Sequence, residues 1–384
     1  MYSHKSDKIP PLRRLLSDLI KIPSVAPHEA EIALYLQKWL IEHGFTVELA
    51  PIESIQRWNM FAGKNLHRIT KRRRPILFYG HLDTVPPDPQ WINPFKPKYI
   101  YGRLFGLGSY DMKGGMAAFL IAASKAKCPV KIFLAVDEER ISLGAWEAIT
   151  KNRQFFSDVR LIISAEPNFG LGLSGITLGR AGRVVFDLNI RGKAAHLAKQ
   201  EQAIDAIELL NQAMSALYAA FKTSFFLSKH STGQIRQIRS ETNGLSVCAR
   251  ASCKIEVLFS ESDTIVRVKN KIHRILWKNK KLMKRFELEV APRLTPYLPF
   301  YHFRSFPRQK KVARIIKKYC GKPMTLHRRT SVGDDNVLAT LKIPIITWGP
   351  DGGNAHNARE YVDMESLINL EKMYEEVLSI GSTE

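Results

Sequence analysis

Apolar positions recur along the chain with two periods. Leu12, Leu15, Leu16, Leu19 and Ile20 repeat at about 3.6 residues and predict a helix over 12–20. Ile32, Leu34, Tyr35, Leu36, Trp39 and Leu40 resume the stripe over 29–43, and Gly44 ends it. Stretches 45–49 and 58–62 are strand-like, the second expected at a sheet edge. Short, nearly continuous apolar runs at 75–79, 130–136, 161–165 and 343–348 predict buried strands. Helix formers at 116–127 and 142–149 lie between them, so strand and helix alternate, which implies a mostly parallel α/β sheet with helices on both faces. From residue 179 the pattern changes. A strand over 184–191, a helix over 202–221, strands over 234–239 and 252–259, a helix over 263–278 and a strand over 286–291 follow in β-α-β-β-α-β order, which is ferredoxin-like α+β. Residues 179–293 are therefore expected to form a domain inserted into a larger one made of 1–178 and 294–384. A basic helix over 309–319, a polar loop at 330–336 and a helix over 364–378 complete the larger domain.

Composition narrows the class. A chain of 384 residues with 45% hydrophobic content suits two globular domains. No run approaches the ~18 apolar residues of a membrane span, and no export signal is read at the N-terminus, so the expectation is a cytoplasmic protein without a membrane partner. Cys128, Cys248, Cys253 and Cys320 form no C-x-x-C pair and are expected as buried thiols. Lys and Arg number 58 against 36 Asp and Glu, a net charge of +22. Such a balance can serve nucleic acid, an acidic surface or an anionic substrate. The basic clusters at 71–74, 278–285 and 308–311 lack the interleaved aromatics of a stacking platform, so nucleic acid is not expected as a partner and a basic binding protein on this fold stands only as a lesser alternative to an enzyme.

Candidate chemistry collects at strand ends. The 75–79 run delivers His81 and Asp83, two residues apart on extended chain and so on one side. A carboxylate beside a histidine fixes its tautomer while the other ring nitrogen binds metal. Asp111 precedes the helix-forming run at 116, Glu138 and Glu139 follow the second strand, Glu166 follows the third, and His356 follows the last. Ligands bind at the carboxyl edge of such sheets. Two histidines and three carboxylates (Asp111, Glu139, Glu166) suit two zinc ions sharing one carboxylate, and a further glutamate suits a proton acceptor for water.

The segments GHLDTVP, GSYDMKGG, VDEE, AEP and GPDGGNAHNAREYV, in this order and spacing, resemble the dinuclear-zinc aminoacylase/carboxypeptidase metallopeptidases. That family includes acetylornithine deacetylase, acetyl-lysine deacetylase, succinyl-diaminopimelate desuccinylase and glutamate-releasing carboxypeptidases. The resemblance implies a metal-dependent amidohydrolase of the zinc-exopeptidase fold, with two zinc ions for which cobalt can substitute. It implies His81 and Glu166 on one ion, Glu139 and His356 on the other, Asp111 between them, Asp83 behind His81, and Glu138 as general base. It further implies that 179–293 is a lid whose His196 donates to the reacting carbonyl, that Arg180 faces substrate, and that lids pair in a homodimer so that His196 serves the partner's site. The implied substrate is an N-acyl-amino acid such as acetylornithine, acetyl-lysine or succinyl-diaminopimelate, with a dipeptide or other short peptide as the alternative. Three departures weaken the substrate reading. Leu197-Ala198-Lys199-Gln200 replaces the usual proline and second histidine, Glu256-Val257-Leu258 replaces an Asp-x-Arg ending, and no Asn-x-Val-Pro element stands near Asn243.

Overall fold

The computed structural model describes residues 9–52, 54–223, 231–260 and 263–379. The chain forms two compact units. One comprises Met1–Gly179, Phe303–His327 and Gly333–Glu384, the other Arg180–His302 and Arg328–Val332.

The first unit is built on a sheet whose strands lie in the order Thr46–Ile52, Ser54–Lys64, Val130–Ala135, Ile76–His81, Leu161–Ser164, Ile345–Thr347 and Gly175–Arg180. The middle of the sheet is parallel: Ile76–His81 pairs with Val130–Ala135 and Leu161–Ser164, and Leu161–Ser164 with Ile345–Thr347. Antiparallel pairs flank it. Every residue of Ile76–His81 and of Val130–Ala135 is buried. A parallel strand covered on both faces requires such an unbroken apolar run. Phe78 stacks on Phe119 of helix Lys113–Ser124 at 5.2 Å and meets Tyr374 of helix Met364–Ser379 edge-on at 5.0 Å. Tyr79 points the opposite way, and its hydroxyl donates to Asp334 Oδ2 at 2.7 Å, at the start of helix Asp334–Leu338. Helices thus cover both faces.

Strand Ser54–Lys64 lies inside the sheet, between Thr46–Ile52 and Val130–Ala135, so the edge belongs to Thr46–Ile52. The expectation that 58–62 forms an edge is corrected, because pairing on both sides depends on a partner about seventy residues away. Strand Gly175–Arg180 and a small antiparallel sheet of Lys98–Ile100, Arg103–Phe105, Gly352–Gly353 and Tyr361–Asp363 carry no periodic signal; the latter strands are too short to show one.

In the second unit, strands Thr232–Ser240, Arg250–Phe259, Gly182–Arg191 and Phe286–Val290 lie side by side in that order, all antiparallel. Val184, Phe186, Leu188 and Ile190 alternate inward from one strand and meet Leu209, Ala213 and Leu217 of helix Ala206–Phe221 and Val268, Ile272 and Leu276 of helix Ile265–Trp277. The first helix begins at 206 and not 202 because the Asp205 carboxylate accepts the Ile207 N–H at 2.7 Å, an N-cap. Residues up to His302 and the Arg328–Val332 segment also belong to this unit. Arg183 N–H donates to Leu298 O and Ala181 N–H to Arg329 O, tying the two segments to strand Gly182–Arg191 and to the residue just before it. Among the described residues no helix is long and apolar enough to cross a membrane.

Candidate metal centre

Three parallel strands deliver their ends to one edge of the first unit's sheet. The ladder continues past them, with Leu82 N–H donating to Ala135 O, Ala165 N–H to Tyr79 O and Trp348 N–H to Ser164 O. His81, the 137–139 turn and Glu166 are therefore neighbours in space. Helix Lys113–Ser124 brings Asp111 just ahead of its first turn. A Cβ added to Gly115 would stand 2.0 Å from Ala165 O, and one added to Gly349 would stand 2.1 Å from Glu166 O. Only glycine permits these approaches. His356 sits in the loop between Gly352–Gly353 and Tyr361–Asp363.

Asp111 stands between two clusters. Its Oδ1 lies 3.3 Å from His81 Nε2, which is 3.5 Å from Glu166 Oε1. Its Oδ2 lies 3.3 Å from His356 Nε2, which is 3.1 Å from Glu139 Oε1. His81, Glu138 and Glu166 bring ligand atoms within 4.8 Å of one another, as do His81, Asp111 and Glu139. His81, Asp83, Asp111 and Glu166 are buried, whereas His356 is open to solvent.

The electrostatics follow from this crowding. Burial, and then the neighbouring Glu166 charge, pushes Glu138 well above the ordinary carboxylate range. Burial alone would lower the His81 imidazole, yet Asp111, Asp83, Glu138 and Glu166 hold it well above its usual value. Hydrogen bonds to Asp111 and Glu139 raise His356 to about 10. Burial would raise Asp111, but His356 and His81 keep it well below the carboxylate range. The surplus of negative charge is offset by protons only through such shifts; divalent cations offset it directly. Imidazole nitrogens and carboxylate oxygens around one shared carboxylate are a donor set that fits zinc.

The surroundings hold these groups in place. His81 Nδ1 lies 2.9 Å from the Asp83 carbonyl oxygen and 3.6 Å from Asp83 Oδ1, which leaves Nε2 facing Asp111 and Glu166. The Asp83 carboxylate also accepts the N–H groups of Glu138 and Glu139, at 3.2 and 3.0 Å. Burial pushes Asp83 up to about 7. Glu360, buried, accepts the N–H groups of Gly108, Tyr110 and Asp111 at 2.8–2.9 Å and so shapes the loop that presents Asp111. Lys113 Nζ donates to Leu19 O and Ile22 O, both at 2.9 Å, near the C-terminal end of helix Pro11–Lys21. Glu360 lies within GPDGGNAHNAREYV and Lys113 within GSYDMKGG, yet neither segment reveals these bonds, because their partners are distant in the chain.

His196 and Arg180 are not among the residues grouped around Asp111. His196 is exposed in the second unit, where its Nδ1 accepts the Ala198 N–H at 3.2 Å. Arg180, at the end of Gly175–Arg180, is 2% exposed, and its Nη1 donates to Ser331 Oγ at 3.2 Å.

Residues 77–379 match the model of peptidase family M20/M25/M40. A succinyl-diaminopimelate desuccinylase of Xylella fastidiosa (strain M23) is 28% identical, over 94% of this chain and 96% of its own. An acetylornithine deacetylase of Buchnera aphidicola subsp. Schizaphis graminum (strain Sg) is 25% identical, over 97% of this chain and 98% of its own. In fold the chain is similar to a tripeptidase from Staphylococcus aureus, with a TM-score of 0.81 at 18% identity, covering 97% of this chain and 98% of that one. It is also similar to an M20 metallo-carboxypeptidase from Sulfolobus solfataricus, with a TM-score of 0.76 at 17% identity, covering 97% and 99%. The family match spans most of the chain and includes every residue gathered at Asp111, so the protein belongs to peptidase family M20/M25/M40 and is a hydrolase.

Proposed function

We propose that this hydrolase cleaves the amide bond of an N-acyl-amino acid, releasing a short acyl group from an amino acid's amine, with two zinc ions at the Asp111 centre. The division of the Asp111 carboxylate between His81 and His356 carries this reading, since one group facing two sets of donors suits two cations. His81 and Glu166 would hold one ion, Glu139 and His356 the other, and Asp111 both. Cobalt would take the same ligands. When bound, the metal pair supplies Lewis acidity toward water and toward the amide carbonyl. Asp83 keeps the His81 ring in register. Glu138, beside Glu166 and His81, accepts the proton of the attacking water and returns it to the leaving amine. His196 donates to the carbonyl oxygen as negative charge develops there, and Arg180 contacts substrate. In this reading the chain is a homodimer joined through 179–293, each site receiving the partner's His196. Four free cysteines suit a reducing compartment, the cytoplasm.

The desuccinylase and deacetylase relatives support acyl-amino acids. A peptidase reading keeps the same centre and is favoured by the fold neighbours, the tripeptidase and the metallo-carboxypeptidase. A panel of N-acetyl- and N-succinyl-amino acids and dipeptides, offered to the zinc-loaded protein, separates the two. Elemental analysis is expected to find about two zinc ions per chain. Glu138→Ala is expected to keep them and lose about a hundredfold or more in kcat. Failure to bind zinc or cobalt, or a fully active Glu138→Ala protein, overturns the assignment.

A further inference from the structure

Three elements distant in sequence meet at one buried guanidinium. Arg57, on strand Ser54–Lys64, is 5% exposed. Its Nε and Nη2 donate to Glu29 Oε2 and Oε1 at 2.8 and 2.7 Å, just before helix Ala30–Glu42. Nη2 also donates to Asp137 Oδ1 at 2.8 Å. Both acids are buried. Removing three charges from water costs several kcal/mol each, and buried ion groups commonly stabilise a fold no better than apolar residues of the same volume. The consequence visible here is geometric.

Asp137 is where the chain turns out of strand Val130–Ala135. Its φ is +70°, in the left-handed region. Its carbonyl oxygen accepts the N–H groups of Arg140, Ile141 and Ser142, its Oδ2 accepts Ile141 N–H, and its Oδ1 also receives Arg140 Nη1 at 3.3 Å. The next two residues are Glu138 and Glu139, whose N–H groups end on Asp83. The turn is therefore held from both sides: by Asp83 at the backbone of the two glutamates, and by Arg57 at the residue before them. A rotation of about 10° at Asp137 displaces a carboxylate about 5 Å further on by about 1 Å, and a misplacement of that size can cost about a hundredfold in rate.

We propose that Arg57 is a positioning residue for the reaction. By fastening Asp137 to Glu29 it sets the direction in which Glu138 and Glu139 leave the turn, touching neither substrate nor metal. The inference rests on the roles given above to Glu138 and Glu139.

Arg57→Lys tests it, because lysine keeps the charge but cannot span both acids with a rigid fork. The expected result is a kcat lower by about tenfold to a hundredfold with KM within about threefold. Zinc held partly by Glu139 should be lost to a competing chelator at about one tenth of the concentration that strips the unmutated protein. Glu29→Gln, which leaves the Arg57–Asp137 bond in place, should lower kcat by only about threefold. A lower unfolding temperature with unchanged kcat per zinc-loaded chain and unchanged chelator competition marks a structural part only and overturns the proposal. If the unmutated protein holds zinc but cleaves nothing in the panel, the substrate reading fails by itself, and chelator competition still decides the matter for Arg57. If it holds no zinc, the centre and the positioning role fall together. Should Arg57→Lys not fold, Glu29→Gln carries the test with the same two measurements, and no change in either overturns the inference.

Discussion

Asp83 and Asp111 each use both oxygens of one carboxylate, Asp83 on the backbone of two glutamates and Asp111 on two histidines. Glu256 does the same in the second unit. Its Oε1 accepts Arg183 Nε at 2.5 Å, while Oε2 accepts Gln234 Nε2 at 3.1 Å and Arg236 Nη1 at 2.9 Å. Glu256 opens the Glu256-Val257-Leu258 stretch that departs from the expected Asp-x-Arg ending, and it serves its own sheet. Burial would raise its pKa, but Arg183, Gln234 and Arg236 outweigh burial and hold it below the ordinary value. A carboxylate with a depressed folded-state pKa stabilises fully above the unfolded value of about 4.3, and that stabilisation is lost as pH falls through the folded value. Glu256→Gln is accordingly expected to lose about 1–3 kcal/mol at pH 7, with the deficit closing below about pH 4. Urea unfolding at pH 7 and pH 3 measures both; a deficit undiminished at pH 3 would assign the loss to packing and not to charge.

Helix Lys113–Ser124 shows how an element can be placed against its own propensity. Gly114 and Gly115 are poor helix formers, costing about 1 kcal/mol each relative to alanine, and the sequence pattern accordingly predicts the helix only from 116. The structure starts it at Lys113 because the two glycines let its first turn approach Ser109 O and Ala165 O. Gly115→Ala must push the helix away from Ala165, the residue before Glu166. The expected outcome is a loss of about 1–3 kcal/mol in stability together with weaker zinc binding. Thermal unfolding and zinc titration check the two effects; an unchanged unfolding temperature with two tightly held zinc ions would mean that the helix yields without disturbing Glu166.

The two units divide the labour of the proposed reaction, with the Asp111 centre in one and His196 in the other. The homodimer proposed above can be tested by mixing two inactive variants, His196→Ala and Glu138→Ala, under conditions of subunit exchange. In a mixed pair the His196→Ala chain keeps its metal centre and Glu138 and receives the partner's His196. Random pairing of equal amounts should restore about a quarter of the unmutated rate, because half the dimers then carry one competent site. Demonstrated mixed dimers that stay inactive would remove His196 from a role across the interface.

The parallel core, and the meeting of most of the candidate ligands at its edge, were legible in the sequence for one reason. A strand buried on both faces must be an unbroken apolar run, and the polar residues just after several such runs must meet at the carboxyl edge of a parallel sheet. His81, Glu138, Glu139, Glu166 and His356 all follow such runs, and the alternating strand Gly182–Arg191 announced its one-sided core in the same local way. Beyond Asp83, what holds the centre in shape was not legible. Arg57 meets Glu29 across 28 positions and Asp137 across 80, and Glu360 reaches Asp111 across 249. Pairings at such separations leave no periodic trace, and Arg57 is one among 58 basic residues until the fold buries it between two acids. The tertiary structure also decided that Ser54–Lys64 lies inside the sheet and that Arg328–Val332 joins the second unit, because both depend on backbone groups contributed by distant strands.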